Sequence, residues 1–173
     1  VGSTGICLIL IVKAGKFTCI MKMKRTWNEK LQDSKDLPKV KVILPEQEQR
    51  WGNGTIVIPS PLEVDSIMKT VPKGKIILIN TIRKQIAAAH NATIGCPVTT
   101  GIFAWIAAHA ADENLKAGKE PTPYWRTLKE GGIINEKYPG GIENQARLLE
   151  EEGHHILQKG KRWMVADWKE TSL

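Results

Sequence analysis

The stretch PVTTGIFAWIAAHAADENL, Pro97 to Leu115, constrains the fold more than any other. Over nineteen residues, alanines and large apolar side chains recur in it at helical spacing. Pro97 suits the first helical position, where no backbone N–H is needed. Just before it, Gly95 and Pro97 break the chain after a second helical pattern, INTIRKQIAAAH. The expected cap of that helix is Asn80, and its Ile82, Ile86 and Ala89 are expected to share a face. Two helices joined by a short glycine-containing turn are the elements of a helix-turn-helix. The pair alone is unspecific, because many small helical domains contain one.

The flanking segments narrow the choice. WGNGTIVIPSP suggests a turn and a short strand that Pro59 stops. In SPLEVDSIMKTV, Ser60 as N-cap, Pro61 at the first helical position and Glu63 three residues after the cap predict a helix from about 61 to 71. GGIENQARLLEEEGH predicts a helix ending at Gly153, and HILQKGKRWMVADW alternates around QKGKR as a hairpin does. The expected class is mainly α with small β: a winged helix-turn-helix domain with a C-terminal hairpin, over residues 51–173.

Composition limits what such a domain does. With 173 residues, 42% hydrophobic and 25% charged, the chain can bury a core without staples. GICLILIV is too short to span a bilayer, so no membrane partner is expected. The three cysteines, Cys7, Cys19 and Cys96, form no metal-like cluster and point to a reduced, cytoplasmic setting; neither metal nor cofactor is expected. The net charge of +7 is unevenly spread: residues 1–44 hold nine Lys/Arg against three Asp/Glu, and the remainder sixteen against fifteen. Residues 1–50 therefore read as a basic, poorly structured arm able to meet phosphates without reading sequence, or as a solvated leader. Within it, residues 1–20 read as an addition ahead of a native start at Met21 or Met23.

The stretch PTPYWRTLKEGG places Tyr124, Trp125 and Arg126 side by side. With VPKGKIILINTI before it and IINEKYPGGIENQARLLEEEG after it, the succession from Pro59 to Gly153 resembles the DNA-binding domain of methylated-DNA-protein cysteine methyltransferases. That family's Pro-Cys-His-Arg-Val run aligns through Pro123 and Arg126, which puts Tyr124 at the acceptor cysteine and Trp125 at its histidine. Alkyl transfer needs a thiolate activated by a base or positive charge, and a phenol beside an indole supplies neither. The pattern is closer to the alkyltransferase-like proteins, which keep the fold, lack the cysteine, bind alkylated guanine in DNA and pass it to excision repair. The resemblance implies a non-enzymatic binder of double-stranded DNA, with Tyr124, Trp125 and Arg126 around a base pocket. Thr99, Thr100 and Gly101 would lie along the groove, and excision-repair proteins would be partners. The family's nucleotide-rotating tyrosine and stack-filling arginine fall at Ile79 and Val98, neither of which does polar work.

Other readings stand beside this one. Tyr124 and Trp125 also suit a core, and Arg126 suits an ion pair with Glu130 or with a carboxylate of LLEEEG as well as a phosphate. Trp105 and Phe103 suit the core, His109 a helix face, and His154 and His155 a helix C-terminus. Cys96, before a helix start, is the one candidate alkyl acceptor or else a buried small hydrophobe. An interaction module that has lost DNA is the third reading.

Overall fold

The computed structural model describes residues 8–13, 16–21 and 25–173, with side chains from Arg25 onward. Strands β1 (Leu8–Lys13) and β2 (Lys16–Met21) pair antiparallel. Cys7 and Met23, and the side chains of Cys19 and Met21, lie outside the described residues, and with them the expectation of a start at Met21 or Met23.

The segment from Arg25 to residue 50 corrects the expectation of a poorly structured arm. Helix α1 (Trp27–Gln32) opens with a capping box between Thr26 and Glu29. Its first free N–H groups, on Trp27 and Asn28, donate to the Glu113 carboxylate at 2.8 and 2.9 Å, where a negative charge also meets the positive end of the helix. Trp27 stacks on His109 with ring centres 4.5 Å apart, and Leu31 is buried. Strand β3 (Lys39–Val42) pairs antiparallel with β4 (Thr55–Ile58), and helix α2 (Pro45–Trp51) fills the connection. The cations here are largely engaged: Arg25 and Lys39 pair with Asp33 and Asp36, and Lys30 lies over the Trp27 ring.

The main core forms where α3 (Pro61–Lys69), α4 (Ile79–Ala89) and α5 (Pro97–Lys116) meet. Ser60 and Glu63 make the expected capping box of α3. Ala104, Ala107, Ala108, Ala110 and Ala111 of α5 are buried, and their small side chains let α1 and α3 approach closely. The fully buried Ile82 and Ile86 each contribute on the order of 2 kcal/mol from the apolar area they remove from water. Two details of α4 differ from expectation. Its cap is Leu78, because strand β5 (Ile77–Leu78) runs directly into the helix. Asn80 instead accepts from Arg83 at 2.7 Å and donates to Glu130 at 2.6 Å. Ala89 is exposed, and Ala87 joins Ile82 and Ile86 in the core.

The α4–α5 turn passes through β6 (Ile94–Gly95), which pairs parallel with β4. A Cβ on Gly95 would stand 2.5 Å from the Arg83 carbonyl oxygen, so only glycine lets the turn pass this close to α4. Beyond α5, β7 (Thr127–Leu128) pairs parallel with β5. Helix α6 (Gly141–Glu150) and the hairpin β8 (Ile156–Lys159) and β9 (Arg162–Val165) follow, then α7 (Trp168–Thr171). Ile76, Leu78, Leu128, Ile134, Leu149 and Val165 form a second cluster beneath them. The expected mainly α class with small β elements is observed. Among the described residues no helix is long and apolar enough to cross a membrane, and no cluster of side chains is able to hold a metal.

Candidate functional site

The first turns of α5 form one wall of a cleft of about 600 Å³, with Pro97, Val98, Gly101, Ile102 and Trp105 on its surface. Val98, Gly101 and Ile102 are exposed. They lie at i, i+3 and i+4, so they share one helix face. Ile79 of α4 and Leu128 of β7 also line the cleft, and residues 135–138 form the opposite wall. A cleft of this size is within the range that holds a small ligand or one nucleobase.

That opposite wall is assembled from a distance. Gln145 of α6 is fully buried; its side-chain oxygen accepts from the Asn135 N–H at 2.9 Å. Its amide nitrogen donates to the carbonyls of Trp125 and Thr127 at 3.0 and 3.2 Å. Trp105 closes the span across the cleft by donating its indole N–H to the Lys137 carbonyl at 3.0 Å. Lys129 and Glu136 pair at the rim. Burial holds the Tyr138 phenol well above its ordinary pKa, although a hydrogen bond with Asn135 acts the other way.

Tyr124, Trp125 and Arg126 do not line the cleft. They form a single 3-10 turn tied to the interior. Tyr124 is 3% exposed, meets Tyr138 edge-on with ring centres 5.6 Å apart, and accepts at its hydroxyl from Asn144 at 3.0 Å. It therefore stands behind the wall. Burial raises its phenol pKa, opposed by the Asn144 hydrogen bond. Trp125 donates its indole N–H to Glu152 at 2.8 Å. Arg126 donates to the same carboxylate through Nε at 2.9 Å and an Nη at 2.8 Å, and to the Val71 carbonyl at 2.6 Å. Of the partners open to Arg126, a carboxylate of LLEEEG is the one it meets. Burial alone would raise the Glu152 pKa. The hydrogen bonds from Arg126, Trp125 and the Gly74 N–H outweigh that and hold it below the usual carboxylate value.

The remaining expected residues divide. Gly101 is on the cleft. Thr100 is fully buried and donates its hydroxyl to the Cys96 carbonyl at 2.7 Å, which removes it from the groove-facing set. The Thr99 hydroxyl oxygen is also buried. Ile79 and Val98 both line the cleft. Cys96 is 6% exposed, caps α5 and packs with Ile43 and Ile56, so its thiol sits among aliphatic side chains and off the cleft. Trp105 and Phe103 pack against the main core as expected, and Trp105 also lines the cleft, while His109 meets the rings of both Trp27 and Trp105. Of the two histidines expected at the end of α6, His154 is buried and His155 exposed.

Sequence reasoning missed Ile102, Asn135, Lys137 and Tyr138 as cleft residues. The available signal was the loop INEKYPGG between a glycine turn and a helix start, since loops between rigid elements often carry binding residues.

No family profile matches the sequence, and no curated protein matches it. Solved structures similar to this chain include S. pombe Atl1 in complex with damaged DNA containing O6-carboxymethylguanine. That chain is 20% identical, the match covers 65% of this chain and 93% of that one, and the TM-score is 0.48. S. pombe ATL in complex with DNA is 19% identical over the same shares, with a TM-score of 0.50. At that identity the second likeness establishes a shared fold.

Proposed function

We propose that this chain is a non-enzymatic, double-stranded DNA-binding protein of the alkyltransferase-like type, which recognises alkylated guanine in connection with DNA repair. The observation that carries the proposal is the cleft beside the exposed start of α5, lined by aliphatic and aromatic side chains and by no thiol. A flipped base needs a pocket with apolar faces and a few polar edges. Ile79, Leu128 and Trp105 supply the former, Asn135 and the rim the latter. The fold shared with S. pombe ATL, solved in complex with DNA, supports a DNA partner.

The chemistry of the cleft suits binding without turnover. Transfer of an alkyl group requires a nucleophile ionised near neutral pH. Tyr138 is held protonated by burial, and Cys96 lies off the cleft. In a winged helix-turn-helix reading, Val98, Gly101 and Ile102 face the groove with no hydrogen-bonding side chain. Contact there is through shape and apolar surface, as in proteins that wedge aliphatic side chains into a minor groove. Delivery of the lesion to excision-repair proteins, in the cytoplasm, is part of the same proposal and is supported by the resemblance alone.

Gel-shift titration with duplexes containing guanine or O6-methylguanine, at two salt concentrations, tests this. Salt-sensitive binding that prefers the modified duplex, with the protein mass unchanged afterwards, is the expected result. No binding at low salt would sink the proposal, and an alkyl group mapped to Cys96 would replace it with the acceptor reading.

A further inference from the structure

The tip of the β8–β9 hairpin carries a second charged surface. Lys159 pairs across the strands with Arg162, and Gly160 and Lys161 make the two-residue turn between them. Every residue from Leu157 to Trp163 is exposed. Among the described residues, none of Lys159, Lys161 and Arg162 pairs with a carboxylate, whereas Lys69, Lys116, Arg126, Lys129 and Arg147 all do. The three cations border an open groove of about 590 Å³ together with Glu130, Gly131, Ile133 and Met164. The Glu130 carboxylate there is already engaged with Asn80.

A single backbone segment separates this groove from the cleft. The Ile134 N–H donates to the Trp163 carbonyl at 2.9 Å, and Ile133 bridges to Met164, so strand β9 is fastened to the chain between the two depressions. Leu128, Lys129, Asn135 and Glu136 face the cleft, while Glu130, Gly131 and Ile133 face the groove. One backbone segment thus forms a wall of each.

We infer that Lys159, Lys161 and Arg162 form a phosphate-binding surface that holds the DNA flanking the cleft without reading its sequence. This rests on the DNA-binding reading above and goes beyond it by adding an electrostatic contact at the hairpin. Free lysine and arginine side chains neutralise phosphates and release counterions, whereas Arg25, Lys30 and Lys39 are held by Asp33, Trp27 and Asp36.

The test uses the full chain with Lys159→Gln, Lys161→Gln and Arg162→Gln combined. The dependence of affinity on salt is measured on an unmodified duplex and on one with O6-methylguanine. Each neutralised phosphate contributes about 0.9 to the slope of log affinity against log salt, so the slope should fall by roughly 2 to 3. Affinity should drop by the same factor on both duplexes, leaving their ratio unchanged, and the melting temperature should hold. A charge-conserving variant, Lys159→Arg with Lys161→Arg and Arg162→Lys, should keep the wild-type slope. An unchanged slope in the glutamine variant, or a lost slope in the charge-conserving one, overturns the inference while leaving lesion recognition standing. Wild-type binding without lesion preference, but with a slope that falls in the glutamine variant, overturns the lesion reading and supports the hairpin. Absence of wild-type binding at low salt overturns both.

Discussion

The turn Tyr124–Arg126 and the first turns of α5 handle their side chains in opposite ways. At 124–126, two aromatics and a guanidinium point inward and each polar end finds a partner, in Asn144 or Glu152. At Val98, Gly101 and Ile102, aliphatic and small side chains face solvent beside the cleft. A large polar side chain can be buried at little cost when its hydrogen bonds are completed, and an aliphatic one can stay exposed when it is to meet a ligand. Under the proposed function, the first region holds the fold and the second meets the ligand.

Replacement of Glu152 by alanine tests the first half most severely. It leaves the Arg126 guanidinium and the Trp125 N–H without their shared acceptor, and losing one partner of a buried pair costs about 3 to 5 kcal/mol. A melting temperature lower by roughly 10 °C is expected. An alanine variant that melts with the wild type and loses DNA binding would break the comparison.

The same carboxylate predicts a pH dependence. Its folded pKa lies below the ordinary value, so the stabilisation it gives is fully present above the unfolded carboxylate pKa. It is lost as the pH falls through the lower, folded value. The melting gap between wild type and Glu152→Gln should therefore be widest near neutrality and close in acid. A gap that widens in acid would show that Glu152 is not held ionised.

Tyr124→Phe removes only the hydroxyl that accepts from Asn144. About 1 kcal/mol of stability should go, with lesion preference intact. Altered preference with unchanged melting would bring the hydroxyl into the pocket after all.

The smallest change in stability is expected from Ile102→Glu, within about 0.5 kcal/mol because the side chain is exposed. Its effect on binding should be the reverse, since a carboxylate on that face repels phosphate. Duplex affinity that survives the substitution would remove the start of α5 from the interface.

What the sequence made legible was set locally. The Ser60–Glu63 capping box, the start of α5 at Pro97 and the hairpin around Gly160 depend on neighbours a few residues apart, and all three are observed. The segment from 25 to 50 was not legible because its anchors Trp27 and Leu31 are single apolar residues among polar ones, and Ile43 lies in a run of three that Pro45 cuts short. Their partners, His109, Glu113 and Ile56, come from distant parts of the chain. Asn80 looked like a helix cap, yet its side chain is taken by Arg83 and by Glu130, fifty residues on. The cleft was hidden for a similar reason. Conspicuous aromatics at 124 and 125 drew attention from Asn135 and Tyr138, which become a wall only through α6.

Gln145, which joins Asn135 to the carbonyls of Trp125 and Thr127, is a neutral amide sealed from solvent. Neither protons nor dissolved ions alter its donor and acceptor capacity. The wall it positions should keep its shape from dilute buffer to high salt and across the neutral pH range, while the ion pairs and free cations around it weaken as ionic strength rises. Under the proposed function, shape selection by the cleft and electrostatic attraction by the hairpin respond to different variables, so a change in ionic strength should loosen the hold on DNA without blurring which base is accepted.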